Sequence, residues 1–256
     1  MRAILTGASS GIGHALAQEL SRRGYELALL ARRGDLLDQL AAELPAKSVA
    51  IPCDVADRAA VRDAVARSQQ QLGGPFDLAI ANAGVGIPTH VANLDLDDAE
   101  RTMQINFFGM LYLFHAVIPS MIERRGGRFA GIASLAGLRG LPASAVYSAS
   151  KAAMQMFLES SRLDLAPLGV KITIVNPGFV ATPLTEKNTF RMPLLMQSDE
   201  AARVIADGIE RGKRVIEFPR RLSRLVRLGR IIPDALYDRI ILRMGPRRWD
   251  PAKVKR

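Results

Sequence analysis

The apolar positions of this chain fall into short runs that alternate with longer amphipathic stretches. Residues 2–6, 25–31, 48–51, 77–81, 128–133 and 171–175 are compact runs of Ala, Val, Ile and Leu, of strand length. Between them, residues 14–20, 35–44, 57–72 and 147–165 carry apolar positions at helical spacing, such as Val61, Val65 and Leu72 on one side of 57–72. Residues 97–125 predict one long, nearly continuous helix. Strands that alternate with helices predict an α/β fold with a parallel sheet covered on both faces. Ligands of such folds sit beyond the carboxyl ends of the strands.

Those ends are where the chemistry collects. The first run gives way to Gly7-Ala-Ser-Ser-Gly11-Ile-Gly13 and then to a helix. Strand, glycine loop and helix start make a phosphate cradle: glycines allow a tight turn and close approach, and the free N–H groups and dipole of the helix start hold an anion. The second run ends at Arg32-Arg33. In dinucleotide folds this position meets the adenosine ribose, where an acid binds the 2′-hydroxyl of NAD and an arginine accommodates the 2′-phosphate of NADP. Two arginines with no acid before Asp35 favour NADP(H). Asp54 ends the third run, where a side chain can meet the adenine edge. Asn82-Ala83-Gly84 ends the fourth, Ser134 the fifth, and Pro177-Gly178 the sixth.

After Ser134 comes a loop with Gly137, Gly140 and Pro142, and then Tyr147-Ser-Ala-Ser-Lys151 opens a helix. Residues four apart share a helical face, so the phenol and the ammonium address one point. A free tyrosine titrates near ~10, too high for balanced acid–base work at neutral pH. The nearby ammonium is expected to lower it. A drop of ~3 pH units needs about 4 kcal/mol, much of which one close cation in a dry site supplies.

These motifs, in this order and spacing, resemble the short-chain dehydrogenase/reductase family, in its single-domain branch, over roughly residues 2–218. The cofactor loop matches at Thr6-Gly7-x-x-x-Gly11-Ile-Gly13, with Ser9 and Ser10 inside it. Asp54, followed by Val55, matches the adenine-contacting acid. Asn106 matches the catalytic asparagine, Ser134 the serine, and Tyr147-x-x-x-Lys151 the Tyr/Lys pair. Pro177-Gly178, Val180 and Thr182 match the segment near the nicotinamide. Ala81 departs from the family, which more often has asparagine there. The resemblance implies a Rossmann-type doubly wound parallel sheet in a three-layer α/β/α sandwich. It implies that Tyr147 exchanges a proton with the substrate oxygen and that Lys151 lowers the tyrosine pKa and holds the nicotinamide ribose. Ser134 would polarise the carbonyl, and Asn106 would support a water path to solvent. It also places a substrate lid at about 182–197.

Apolar residues of that lid (Phe190, Met192, Leu194, Leu195, Met196), with Leu138 and Leu141 after Ser134, point to an apolar alcohol, ketone or aldehyde. A simple core role for them stays open. A cofactor-binding regulator without turnover is the competing class, but Asn106, Ser134, Tyr147 and Lys151 are all retained. Epimerase or dehydratase chemistry usually comes with a larger C-terminal substrate domain.

Charge changes the picture in one place. The chain of 256 residues has a formal net charge of +10. Residues 211–256 hold 15 Lys/Arg against 4 Asp/Glu, so the body is near neutral and the tail strongly basic. Arg220, Arg224 and Arg227 are expected on one helical face and Leu222, Leu225, Val226 and Ile232 on the other. Leu236, Ile240 and Ile241 form a second stripe beside Arg239 and Arg243. Residues 219–256 therefore read as a basic amphipathic extension. Either it meets an anionic membrane surface through 220–243, where four arginines supply about 4 kcal/mol, or it packs on the body or on a neighbouring subunit. Nucleic acid is disfavoured, since aromatic residues are almost absent among the arginines.

Cys53, the single cysteine, rules out an internal disulfide. Three scattered histidines without ligand spacing argue against a metal site. The first residues already read as a strand, so no leader is expected and the protein reads as cytoplasmic, with peripheral membrane attachment an option. The uncharged segment 102–122 is long enough to span a bilayer. Its polar residues and repeated surroundings favour a buried or subunit-facing helix, and with 147–165 it suggests a helix-paired homo-oligomer, a dimer or tetramer.

Overall fold

The computed structural model describes residues 1–244 apart from 89, 187 and 189–191. Seven strands form one wholly parallel sheet. They are β1 (Arg2–Thr6), β2 (Glu26–Ala31), β3 (Ser48–Pro52), β4 (Leu78–Ala81), β5 (Gly127–Ile132), β6 (Val170–Pro177) and β7 (Val215–Phe218). Their order is β3-β2-β1-β4-β5-β6-β7. The chain therefore starts in the middle of the sheet, winds to one edge, crosses back over β1 and winds to the other. This is the doubly wound, Rossmann-type arrangement, and it opens a crevice where the winding reverses, between β1 and β4.

Both faces of the sheet are apolar because alternate residues point to opposite sides. Ile4, Ala28 and Leu30 join one core with Phe129, Met154 and Leu158. Leu5, Leu27 and Leu29 join the other with Leu16, Leu20 and Ile205. The first core is covered by α3 (Arg58–Leu72), α5 (Gly109–Glu123) and α6 (Ala145–Leu165). The second is covered by α1 (Gly11–Arg22), α2 (Gly34–Glu43) and α8 (Ser198–Glu210). Two short helices complete the fold: α4 (Leu96–Met103), and α7 (Pro183–Glu186) beside the crevice.

The long helix is present over Leu96–Glu123, but a π turn at Gln104–Phe108 divides it into α4 and α5. It is long and apolar enough to cross a membrane by length and composition. In the fold, Ile105, Met110, Leu113, Val117 and Met121 of this helix are buried in the first core. α6 lies close to the sheet because Gly131 on β5 has no side chain; a Cβ there would sit 2.4 Å from Leu158 Cδ1. That contact brings the helix carrying Tyr147 and Lys151 over the strand that ends at Ser134.

α8 and β7 were not expected from the sequence. α8 buries Ala201, Ala202, Ile205, Ala206 and Ile209. It is tied to α1 by Arg23, whose guanidinium reaches Glu19, Asp207 and Glu210 at 2.6–2.7 Å. Beyond β7 the tail forms α9 (Arg220–Ile231) and α10 (Asp234–Met244). Here the expected split of faces needs correction. Leu222 and Val226 are partly covered, whereas Leu225 points outward beside Arg224. Arg227 turns back to Glu217 on β7, at 2.7 and 3.1 Å. The apolar residues of α9 thus lie on both sides of the helix, and the body covers one of them.

Candidate active site

The loop from Gly7 to Gly13 is held open by side chains behind it. The Thr6 hydroxyl accepts hydrogen bonds from the backbone N–H groups of Asn82 and Ala83 at 3.0 and 3.1 Å. The Asn82 amide donates to the carbonyls of Thr6 and Gly7 at 3.0 and 3.2 Å. Together they lock the ends of β1 and β4. Gly7 and Gly13 are required by space: a Cβ on Gly7 would lie 2.8 Å from Ala83 Cα, and one on Gly13 would lie 2.1 Å from the Gly7 oxygen. α1 starts directly after Ser10, whose side chain makes no capping bond. The first N–H groups of α1 are therefore left to face the crevice, which suits a phosphate. By contrast, Asp57 caps α3 through the N–H groups of Ala59 and Ala60.

A crevice of about 410 Å³ runs from this loop across the strand ends, a size typical of small-molecule sites. Of the residues singled out above, it is lined by Gly7, Ser9, Ser10, Gly11, Ile12, Arg32, Arg33, Asp54, Val55, Asn82, Ala83, Gly84, Ser134, Tyr147, Lys151, Pro177, Gly178, Val180 and Thr182. Thr6 and Gly13 stand behind its wall and shape it. The Arg33 guanidinium reaches across the mouth of the loop to the Ser9 hydroxyl at 2.9 Å. Arg32 is exposed next to it.

At the other end, Ser134 follows β5 and Tyr147 lies in the first turn of α6. The Ser134 oxygen accepts a bond from the Ala136 N–H at 3.1 Å, which leaves its own proton free to donate. This hydroxyl lies near enough to the Tyr147 phenol to oppose the effect of burial on it. The Ser134 carbonyl is held by Gln155 at 2.7 Å, and Gln155 also donates to Asn176. Lys151 is 4% exposed. Its ammonium donates to the Ile132 carbonyl at 2.9 Å and stands 5.8 Å from the centre of the Tyr147 ring. A Cβ on Gly84 would come within 3.4 Å of it.

Electrostatics here departs from expectation. Burial pulls the Lys151 ammonium down from 10.5 to about 8. The Tyr147 phenol is raised rather than lowered: burial outweighs the opposing effect of Ser134. A charge buried in low dielectric is disfavoured whatever its sign, so the same dry pocket pushes both groups toward neutrality.

Asn106 lies deeper than the other site residues. It is fully buried and does not line the crevice. Its side-chain oxygen accepts from Val85 N–H at 2.8 Å. Its amide donates to the Val85 carbonyl at 3.0 Å and to the Ser150 hydroxyl at 2.9 Å. Ser150 in turn donates to the Tyr147 carbonyl at 2.7 Å. Both amide protons are thus committed to protein, and the side chain cannot donate to a water chain. Asn106 ties the loop after β4 to the start of α6.

The anticipated substrate residues do not converge on the crevice. Leu138 and Leu141 line a second groove, between the loop after Ser134 and α10. Met192 and Leu195 line neither, and Phe190 lies outside the described residues. The crevice takes apolar surface instead from Val85, Ile105, Pro183 and Leu184. The segment after Val180 is anchored at its base by a bridge between Val180 and Met196, with bonds from Ala181 N–H to Met196 and from Met196 N–H to Phe179.

The sequence model of the short chain dehydrogenases matches residues 1–192. An oxidoreductase of Myxococcus xanthus, itself uncharacterised, is 39% identical over 239 residues, covering 92% of this chain and 94% of that protein. The chain belongs to the short-chain dehydrogenase/reductase family. It is an oxidoreductase of that family, whose members bind a nicotinamide cofactor. Glycine betaine reductase ATRR of Emericella nidulans is 41% identical over 190 residues, which is 73% of this chain and 15% of that longer protein. A short-chain dehydrogenase from Streptomyces avermitilis has the same fold, with a TM-score of 0.82 and 24% identity over 96% of this chain and 98% of its own. A 3-oxoacyl-(acyl-carrier protein) reductase from Brucella melitensis, solved with bound NAD, has a TM-score of 0.74 and 25% identity over 85% of this chain and 88% of its own.

Proposed function

We propose that the protein interconverts an apolar ketone or aldehyde and its alcohol with NADP(H), and that Tyr147 is the general acid and base. The observation that carries this reading is the convergence of the Ser134 hydroxyl, the Tyr147 phenol and the buried Lys151 ammonium at one end of the glycine-lined crevice. The crevice residues fit a dinucleotide. The free N–H groups at the start of α1 would hold its pyrophosphate, Arg32, Arg33 and Ser9 a 2′-phosphate, and Lys151 the nicotinamide ribose. The nicotinamide supplies or accepts the hydride when bound.

The side chains handle the proton. The Ser134 hydroxyl, whose proton is not taken up by the Ala136 N–H, donates to the substrate oxygen and polarises the carbonyl. Tyr147 gives its proton to that oxygen as negative charge builds, and a phenol kept neutral by burial is ready to do so. Lys151 faces the phenolate that remains and lowers the cost of forming it. Asn106 and Ser150 hold Tyr147 in place through its backbone. In the alcohol-to-ketone direction the same groups run in reverse.

The π turn before α5 leaves Phe108 exposed, and the outward face of α6 leaves Met156 and Leu163 exposed, which supports a helix-paired homo-oligomer. The basic tail is the part suited to an anionic membrane surface on an otherwise cytoplasmic enzyme. A panel of ketones and aldehydes of increasing chain length, assayed with NADPH and NADH in parallel by cofactor absorbance, tests the reading. Activity with NADPH should grow with chain length, and Tyr147→Phe should abolish it while NADPH still binds. Full activity in Tyr147→Phe would remove the role given to the phenol.

A further inference from the structure

α9 contains five arginines and no acid. Its inner edge is used up by the body. Ser223 is buried, and Leu222 packs so closely on Gly178 that a Cβ there would lie 2.8 Å from Leu222 Cδ2. The opposite face holds Leu225, Leu228 and Ile231, which are 61%, 55% and 78% exposed. Arg221 and Arg224 lie among them, exposed and without an ion pair among the described residues. α10 repeats the pattern, with Leu236 and Ile240 exposed beside Arg239 and Arg243. Its two acids are exposed but engaged at the edge toward the body: Asp234, 90% exposed, pairs with Arg139 at 2.7 Å, and Asp238 lines the groove facing the loop after Ser134. The exposed surface of the two helices therefore combines apolar and cationic side chains, with no carboxylate on α9 and two at the body-facing edge of α10.

An exposed helix face is normally polar, and one that mixes leucine with arginine asks for a particular partner. In a second copy of this chain the same face would bring arginine against arginine. A bilayer with anionic lipid satisfies both halves at once: the leucines enter below the headgroups while the guanidiniums reach up to the phosphates. The tail is also bound to the site. The Tyr237 hydroxyl donates to the Gly140 carbonyl at 2.7 Å, and the Arg139 guanidinium lies 4.3 Å over the Tyr237 ring. α9 touches Gly178 and α10 touches Gly140, so the two helices sit on the two loops that flank Ser134 and the nicotinamide end of the crevice.

We propose that the outward face of α9 and α10 docks on an anionic lipid bilayer and sets the substrate side of the crevice against the lipid surface. The consequence for substrate, an apolar carbonyl compound drawn from the membrane, rests on the function proposed above; the docking itself does not. The test is sedimentation of the full chain with sucrose-loaded vesicles of phosphatidylglycerol and phosphatidylcholine, beside vesicles of phosphatidylcholine alone. Emission of Trp249, the single tryptophan, gives a second reading. The protein should pellet with the anionic vesicles with a blue shift, and release as salt rises. Arg221→Gln with Arg224→Gln should weaken partitioning by about fivefold per arginine. Leu225→Asp with Leu228→Asp should abolish it with an unchanged melting temperature, since both residues are exposed. Protein that stays in solution with anionic vesicles, or variants that partition like the parent, would overturn the proposal. So would a concentration-dependent dimer that the Leu→Asp variant loses, which would assign the face to a second copy. No turnover is read, so failure here is separate from failure of the enzyme reading.

Discussion

Replacing Lys151 with methionine should make the protein more stable and inactive. The ammonium is 4% exposed and titrates at about 8 against 10.5 in an unfolded chain. At 1.36 kcal/mol per pH unit, that gap costs the folded state about 3 kcal/mol whenever the lysine is charged in both states. Methionine removes this cost and fills similar space. It also loses the bond to the Ile132 carbonyl, worth about 1 kcal/mol. The net gain at neutral pH is about 2 kcal/mol.

The pH dependence carries the sharper test. Below about 8 the lysine is protonated in both states and the full cost applies. Between 8 and 10.5 the folded protein has released the proton while the unfolded chain still holds it, so stability rises with pH. Above 10.5 both are neutral and the cost is gone. Burial of Tyr147 and of Cys53, whose thiol is pushed up to about 11, acts in the opposite sense at high pH. The parent curve alone would mix these effects. The difference between parent and Lys151→Met cancels them to first order. Urea unfolding of both proteins across this range should show the variant's advantage constant below about 8 and fading toward 10.5. A variant less stable than the parent at neutral pH, or an advantage that does not change with pH, would refute the claim that Lys151 is a desolvated charge.

Three further outcomes follow from the geometry. Gly13→Ala should cost about 2–3 kcal/mol of stability by overpacking and abolish NADPH binding by calorimetry, because its Cβ would meet the Gly7 oxygen and the Asn82 amide, at 2.1 and 2.5 Å; normal binding would show that the loop yields. Arg33→Ala should weaken NADPH binding by about tenfold or more, the worth of one charge-assisted hydrogen bond, and leave NADH unchanged; equal loss for both cofactors would end its assignment to the 2′-phosphate. Asn106→Ala should destabilise by about 2–4 kcal/mol in urea, since it strands the Val85 N–H and C=O and one bond of Ser150; a loss below about 1 kcal/mol would mean that water replaces the clamp.

The strands that end at Gly7, Arg32, Asp54, Asn82, Ser134 and Pro177 were legible because each ends an apolar run at a Gly, Pro or polar break. A parallel sheet then brings such ends together without further information. α8 and β7 were not read. α8 buries three alanines among its five inner hydrophobic residues, and alanine contrasts too little with a polar face to announce a helix. β7 has four residues at the sheet edge, too few for an alternating pattern to stand out. The remaining departures share one cause. Local spacing places Lys151 beside Tyr147 but does not say how dry their surroundings are, so it forecasts attraction where burial dominates. It marks Asn106 as important but not that Val85 and Ser150, 21 and 44 residues away, take up its hydrogen bonds. In α9, leucines lie on both sides, and contacts with Gly178 and Glu217 decide which side faces inward. Periodicity within a segment establishes that a helix exists. The work its side chains do is decided by what distant segments bring against it, and in this protein those partners separate the buried Tyr147–Lys151 pair from the exposed basic face.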